Sequence, residues 1–112
     1  MQIKDRQVAG ILIVRPVDKR IDASVATEFK GKMVDWINAG NKRIVLNLSD
    51  VDFIDSSGLG AIVSSLKAIG NEGDLVICGV KDTVMTLFSL TRMNRVFQMF
   101  KTEEEALKAL SE

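Results

Sequence analysis

The sequence predicts an α/β fold: a mixed central sheet, opened by a hairpin and continued by parallel strands, with about four helices. Three observations predict it. Apolar, largely β-branched runs recur at Gly10-Ile11-Leu12-Ile13-Val14, Ile44-Val45-Leu46-Asn47-Leu48 and Leu75-Val76-Ile77-Cys78. Between them apolar residues return at spacings of three and four, the mark of helices with one buried side. After the first two strands the two types alternate, which favours parallel strands joined by right-handed crossovers.

Each element has a local reason. Ile3 and Val8 mark a first strand, and Ala9-Gly10 a hairpin turn into the second. Pro16 ends easy pairing of that second strand, and Val17-Asp18-Lys19-Arg20 reads as a polar connection. Asp22 is a cap for a helix through about Asn38, with Val25, Phe29, Met33, Trp36 and Ile37 on one side. Ala39-Gly40-Asn41 stops that helix. The strand Ile44–Leu48 leads through Ser49-Asp50 and Val51-Asp52-Phe53-Ile54 to a second helix, on which Leu59, Ile62, Val63, Leu66 and Ile69 share a face. Gly70-Asn71-Glu72-Gly73 breaks this helix before the strand Leu75–Cys78. Asp82 caps a short helix carrying Val84, Leu87 and Phe88, and Val96–Phe100 reads as a late strand. Thr102 and the carboxylates of Glu103, Glu104 and Glu105 open the last helix, with Ala106, Leu107 and Leu110 inward.

Composition bounds the function. The 112 residues fit one domain spanning 1–112, and 46% hydrophobic content is enough for a core. Fifteen basic residues balance fifteen acidic ones, so nothing resembles the basic surface of a nucleic-acid binder. No apolar run is long enough to span a bilayer, and none follows the charged N-terminus as a signal core. A cytoplasmic domain without membrane contact is expected. Cys78, alone in its apolar run, reads as a buried strand residue.

The segment Asp55-Ser56-Ser57-Gly58-Leu59-Gly60 carries the chemistry, at a junction from strand to helix. The chain has no histidine and no tyrosine, so neither serine has its usual activating base and no enzyme is expected. Asp50, Asp52 and Asp55 are clustered, but turn and cap roles explain them and no metal site is expected. Gly58 and Gly60 superficially suggest a dinucleotide loop, yet the third glycine position holds Val63 and no phosphate-loop lysine follows. Their expected role is close backbone packing and a tight turn. No cofactor is expected. The serines remain as a plain helix cap and first-turn residue, or as phosphoryl acceptors beside the positive end of the helix dipole. The helix wheel turns Ser57 away from the apolar face and leaves Ser56 at its boundary, so geometry alone does not choose between them.

Taken together, the run from Ile44 to Gly60, the element order and the Val80-Lys81-Asp82 to Phe88 segment resemble the STAS domain family along essentially the whole length. Within it the chain is similar to stand-alone bacterial anti-sigma factor antagonists of the sporulation and general-stress type. The resemblance implies partner switching. The unmodified protein binds an anti-sigma factor serine/threonine kinase, releasing a sigma factor or another output protein. Phosphorylation of Ser56, with Ser57 the alternative, ends that binding, and a PP2C-type serine phosphatase restores it. The implied partner surface comprises Asp22, Asp55, Ser57, Gly58 and Leu59, on a protein that is monomeric when free. Lys19 departs from the family, where many members carry glycine, and Pro16 lies in the same loop. The other reading is a STAS module that is never phosphorylated and scaffolds a larger sensory or transport complex.

Overall fold

The chain reverses first at Ala9 and Gly10, whose φ angles are 51° and 81°. Two positive angles in succession give a tight turn whose twist matches the flanking strands. In the computed structural model, which describes residues 1–111, this turn joins β1 (Ile3–Val8) to β2 (Ile11–Pro16). The strands are antiparallel, from Ile3 opposite Pro16 to Val8 opposite Ile11. There follow β3 (Arg20–Ile21), α1 (Ala26–Asn38), β4 (Arg43–Asn47), β5 (Phe53–Ile54) and α2 (Ser56–Ile69). The chain ends with β6 (Asp74–Cys78), α3 (Asp82–Leu90), β7 (Met99–Phe100) and α4 (Glu103–Ser111).

The main sheet has the order β1-β2-β4-β6-β7, with every pairing after the hairpin parallel. Ile44 lies between Leu12 and Leu75, and Leu46 between Val14 and Ile77. These residues face Phe29 and Met33 of α1, Ile62 of α2 and Phe88 of α3. The alternate residues Ile11, Ile13, Val45, Val76 and Cys78 face Ala106 and Leu110 of α4. Burial on both faces is why these strands read as continuous apolar runs rather than alternating ones. Among the described residues no helix is long and apolar enough to cross a membrane.

Four local expectations change. Asp22 does not cap α1, which begins four residues later at Ala26. Its carboxylate instead accepts from the backbone N–H and hydroxyl of Ser24, and its carbonyl from Val25 and Ala26, building the turn before the helix. Asp82 is the first residue of α3 rather than its cap, which is Lys81. Only Met99 and Phe100 of the late apolar run form a strand. Upstream, Met93–Arg95 is a 3₁₀ turn, and Phe97 packs edge-on against Phe88 with ring centroids 6.1 Å apart. Finally, Arg20 is not in a loop: β3 and β5 form a small separate parallel sheet.

Candidate functional site

The small sheet positions the junction. Ile21 pairs with Ile54 and Arg20 with Phe53. Period-two alternation buries the isoleucines and turns the other pair outward. The Arg20 guanidinium lies 4.1 Å from the Phe53 ring centre, a cation–π contact that partly covers an aromatic left 40% exposed. Arg20 Nε is also 3.5 Å from the Asp22 carboxylate. The loop entering α1 and the strand entering α2 are thereby joined on their outer surface.

Asp55 joins them again from below. One carboxylate oxygen accepts the Gly58 N–H at 2.9 Å and caps α2; the other accepts the Ala23 N–H at 3.1 Å, from the loop that carries Asp22. The cap is therefore the aspartate, and Ser56 and Ser57 are the first two helical residues. Gly58 is buried: a Cβ built there would stand 2.0 Å from the Ile21 carbonyl oxygen and 3.0 Å from Ile54 Cγ2. Glycine is required here because β3 crosses directly against the helix. Leu59 is buried in the core. Gly60 is different: it is exposed, its φ is ordinary and a Cβ would meet nothing within 4 Å. Close packing does not explain it.

Both serines are exposed. Ser56 opens onto a shallow, mainly apolar hollow of about 400 Å³ between α2 and α3. On its other side, Asp52 pairs with Lys81, and the Thr83 hydroxyl donates to the Asp52 carbonyl at 3.1 Å, tying α3 to β5. The three clustered aspartates diverge: Asp50 pairs with Arg15 at 2.8 Å, Asp52 with Lys81, and Asp55 takes backbone N–H groups. Among the described residues no group of three metal-ligating side chains converges.

The electrostatics follow these contacts. The Ser24 hydroxyl holds the Asp22 carboxyl below its ordinary range, helped by the Ser24 N–H and Arg20 against a cost of burial. Lys81 does the same for Asp52, and Arg15 for Asp50. Burial pushes the Cys78 thiol up to about 11, so it is an unreactive core residue. The site presents fixed charges and a free hydroxyl but no nucleophile paired with a base.

Of the residues named from sequence, Asp55 is tied through Ala23 to the loop of Asp22, Ser56 and Ser57 follow it exposed on α2, and Gly58 and Leu59 are buried beneath. Sequence reasoning missed Arg20, Phe53, Ala23 and the Asp52–Lys81 pair. The signal for Phe53 was present, since it is a large aromatic between Asp52 and the buried Ile54.

A family model described as the STAS domain matches residues 2–106. An anti-sigma F factor antagonist of Paenibacillus polymyxa is 30% identical over 112 residues, covering 98% of this chain and 95% of that protein. The crystal structure of a Thermotoga maritima protein, provisionally named an anti-sigma factor antagonist, superposes with a TM-score of 0.91 at 30% identity. That match covers 98% of this chain and 95% of the other. The phosphorylated form of the Bacillus cell-fate determinant SpoIIAA superposes at 0.74 with 21% identity, covering 96% and 98% of the two chains, a likeness of fold alone.

Proposed function

The chain belongs to the STAS domain family, and from that premise we propose that it is an anti-sigma factor antagonist switched by phosphorylation of Ser56. The general role is supported by antagonist relatives matched over nearly their whole length. The observation that carries the switch is the position of Ser56, the first residue of α2, exposed and relieved of capping by Asp55. A phosphoryl group fits there without displacing any core side chain.

In this reading the unmodified surface, Ser56 and Ser57 with Asp22 and the Arg20–Phe53 pair, binds an anti-sigma factor serine kinase in the cytoplasm. Phosphorylation adds roughly −1.5 to −2 charges at neutral pH. The α2 dipole partly accommodates them. A contact surface built around a neutral hydroxyl does not, because burying an unpaired charge is costly. The fold stays and the complex parts. A PP2C-type phosphatase restores the hydroxyl. Catalysis, ATP and Mg²⁺ belong to the partners.

The test is a pull-down with ATP added or omitted, followed by phosphosite mapping. Wild type is expected to retain the kinase without ATP and release it with ATP, the phosphate mapping to Ser56. Ser56→Ala is expected to hold the kinase in both cases, and Ser56→Asp to bind at least about tenfold more weakly, roughly 1.4 kcal/mol. Equal affinity of wild type, Ser56→Ala and phosphorylated protein refutes the switch. Phosphate on Ser57 moves the acceptor by one residue. A chain that is never phosphorylated in its native cell is a scaffolding module instead.

A further inference from the structure

The hollow that opens at Ser56 runs along α2 toward α3, with Gly60 and Val63 on one side and Leu87 and Met93 on the other. Its one charged lining residue is Lys67, which no carboxylate pairs with among the described residues. Arg92 and Arg95, both exposed, bracket Met93 in the turn that follows α3. Leu90, at the end of α3, is 79% exposed. The groove is thus mainly apolar, carries one cationic lining residue, Lys67, about three turns along α2 from Ser56, and is lined by no acidic side chain.

Gly60 adds an independent observation. A glycine inside a helix is destabilising relative to alanine, and neither φ nor space demands one here. What it provides is bare backbone on the groove wall, where a partner can approach closely. Gly31 in α1 is equally unconstrained and is not among the residues lining this hollow, so it serves as a control.

We infer that this groove seats an amphipathic helix of the protein partner, with its apolar stripe over Gly60 and Val63 and acidic residues toward Lys67, Arg92 and Arg95. Residues of α2 and of the α3 end line one apolar hollow, of the kind that accepts anchors spaced three and four apart. The identity of the occupant as the partner-switching kinase rests on the proposed function; the groove's preference for acidic flanks does not. The two combine in one mechanism. A phosphoryl group on Ser56 stands at the mouth of the groove and sets bulk and an unpaired charge against the occupant's apolar stripe, so release follows from desolvation and bulk at that end.

The test needs no kinase. Two designed helical peptides of about 20 residues share one leucine stripe and carry either glutamates or lysines beside it. Each is titrated into isotope-labelled protein and followed by amide shifts. The acidic peptide is expected to bind at least about tenfold tighter, or roughly 1.4 kcal/mol, shifting Gly60, Val63, Lys67, Leu87 and Met93. Gly60→Phe is expected to abolish these shifts and Gly31→Ala to leave them intact, while Lys67→Glu narrows the preference between peptides. Equal affinities, or shifts confined to the Arg20–Phe53 side, overturn the inference. So does concentration-dependent dimerisation lost in Gly60→Phe, which makes the occupant a second copy of the chain. A positive peptide result with a Ser56-independent pull-down leaves the groove standing and removes the switch; the reverse removes only the groove.

Discussion

The first turn of α2 has an inner and an outer side, and they obey different rules. Inside, Gly58 lies against the Ile21 carbonyl with no room for a methyl group. Outside, Ser56 and Gly60 meet open space. Six consecutive residues therefore fall into three groups: Asp55 fixes the turn, Gly58 and Leu59 bind it to the core, and Ser56, Ser57 and Gly60 are exposed. A residue's place in a motif does not reveal which job it has. Its position around the helix does.

The sharpest way to break this comparison is to place the same methyl group on each side. Gly58→Ala drives a Cβ into the backbone of β3 and is expected to cost about 3 kcal/mol, as overpacking against an unyielding neighbour does. Gly60→Ala meets nothing and is expected to gain about 1 kcal/mol, the ordinary helix preference of alanine over glycine. Urea unfolding midpoints check both, and equal signs would mean that the two sides do not differ.

Asp55 links the sides, so its removal is the next largest effect. Asp55→Ala loses the cap of α2, worth about 1 kcal/mol, and leaves the Ala23 N–H to water. The loop holding Asp22 is then tied to the junction by β3 pairing, by the Asp55 N–H on the Ile21 carbonyl and by the Arg20–Phe53 stack. Hydrogen exchange is expected to rise at Gly58 and Ala23 together while the central strand residues Ile44, Val45 and Leu46 stay protected. A rise at Gly58 alone means that the carboxylate caps the helix without holding the loop.

The central strands and α2 were legible because long patterns report burial directly. Ile44, Val45, Leu46 and Leu48 are apolar and buried on both faces, and Leu59, Ile62 and Ile69 mark one buried stripe. The β3–β5 sheet was not legible, because two residues carry no periodicity and each strand exists only through the other. For the same reason Arg20 looked like loop and Phe53 like spacer, although together they form an exposed stacked pair on the small sheet. Asp22 was read as a helix cap and builds the preceding turn instead, since an aspartate before an apolar stripe signals a turn and a cap alike. The late apolar run misled because Phe97 is buried by tertiary contact with Phe88 rather than by a strand. Close packing was assigned to both glycines, and only coordinates separate Gly58 from Gly60.

The smallest expected effect concerns charge, and it too divides the molecule. On the site side, Ser24 and Arg20 hold the Asp22 carboxyl below its ordinary range, and Lys81 holds Asp52 there. On the α4 side, burial works to raise Glu103, but hydrogen bonds from Arg6 and from the buried Asn47 outweigh it and leave the group lowered. A carboxyl lowered by folding releases its proton more readily in the native state. Its contribution is complete above the unfolded value near pH 4 and is lost as pH falls through the lower folded value. Stability should therefore be level near neutrality and decline only below about pH 4. The groups separate by their partners. Asp52 is held by the exposed Lys81 ammonium and Glu103 in part by the exposed Arg6, both of which salt screens, whereas Asp22 is held first by the neutral Ser24 hydroxyl. High salt is expected to move the Asp52 titration up toward ordinary aspartate, to move Glu103 part of the way because Asn47 still donates to it, and to move Asp22 least, as followed by carboxyl carbon shifts. Ser24→Ala is expected to raise Asp22 alone, because the Ser24 hydroxyl is the largest influence on it. An unchanged Asp22 titration in that variant would mean that the turn before α1 is not organised by this hydrogen bond, and that the loop leading into α1 is looser than its geometry implies.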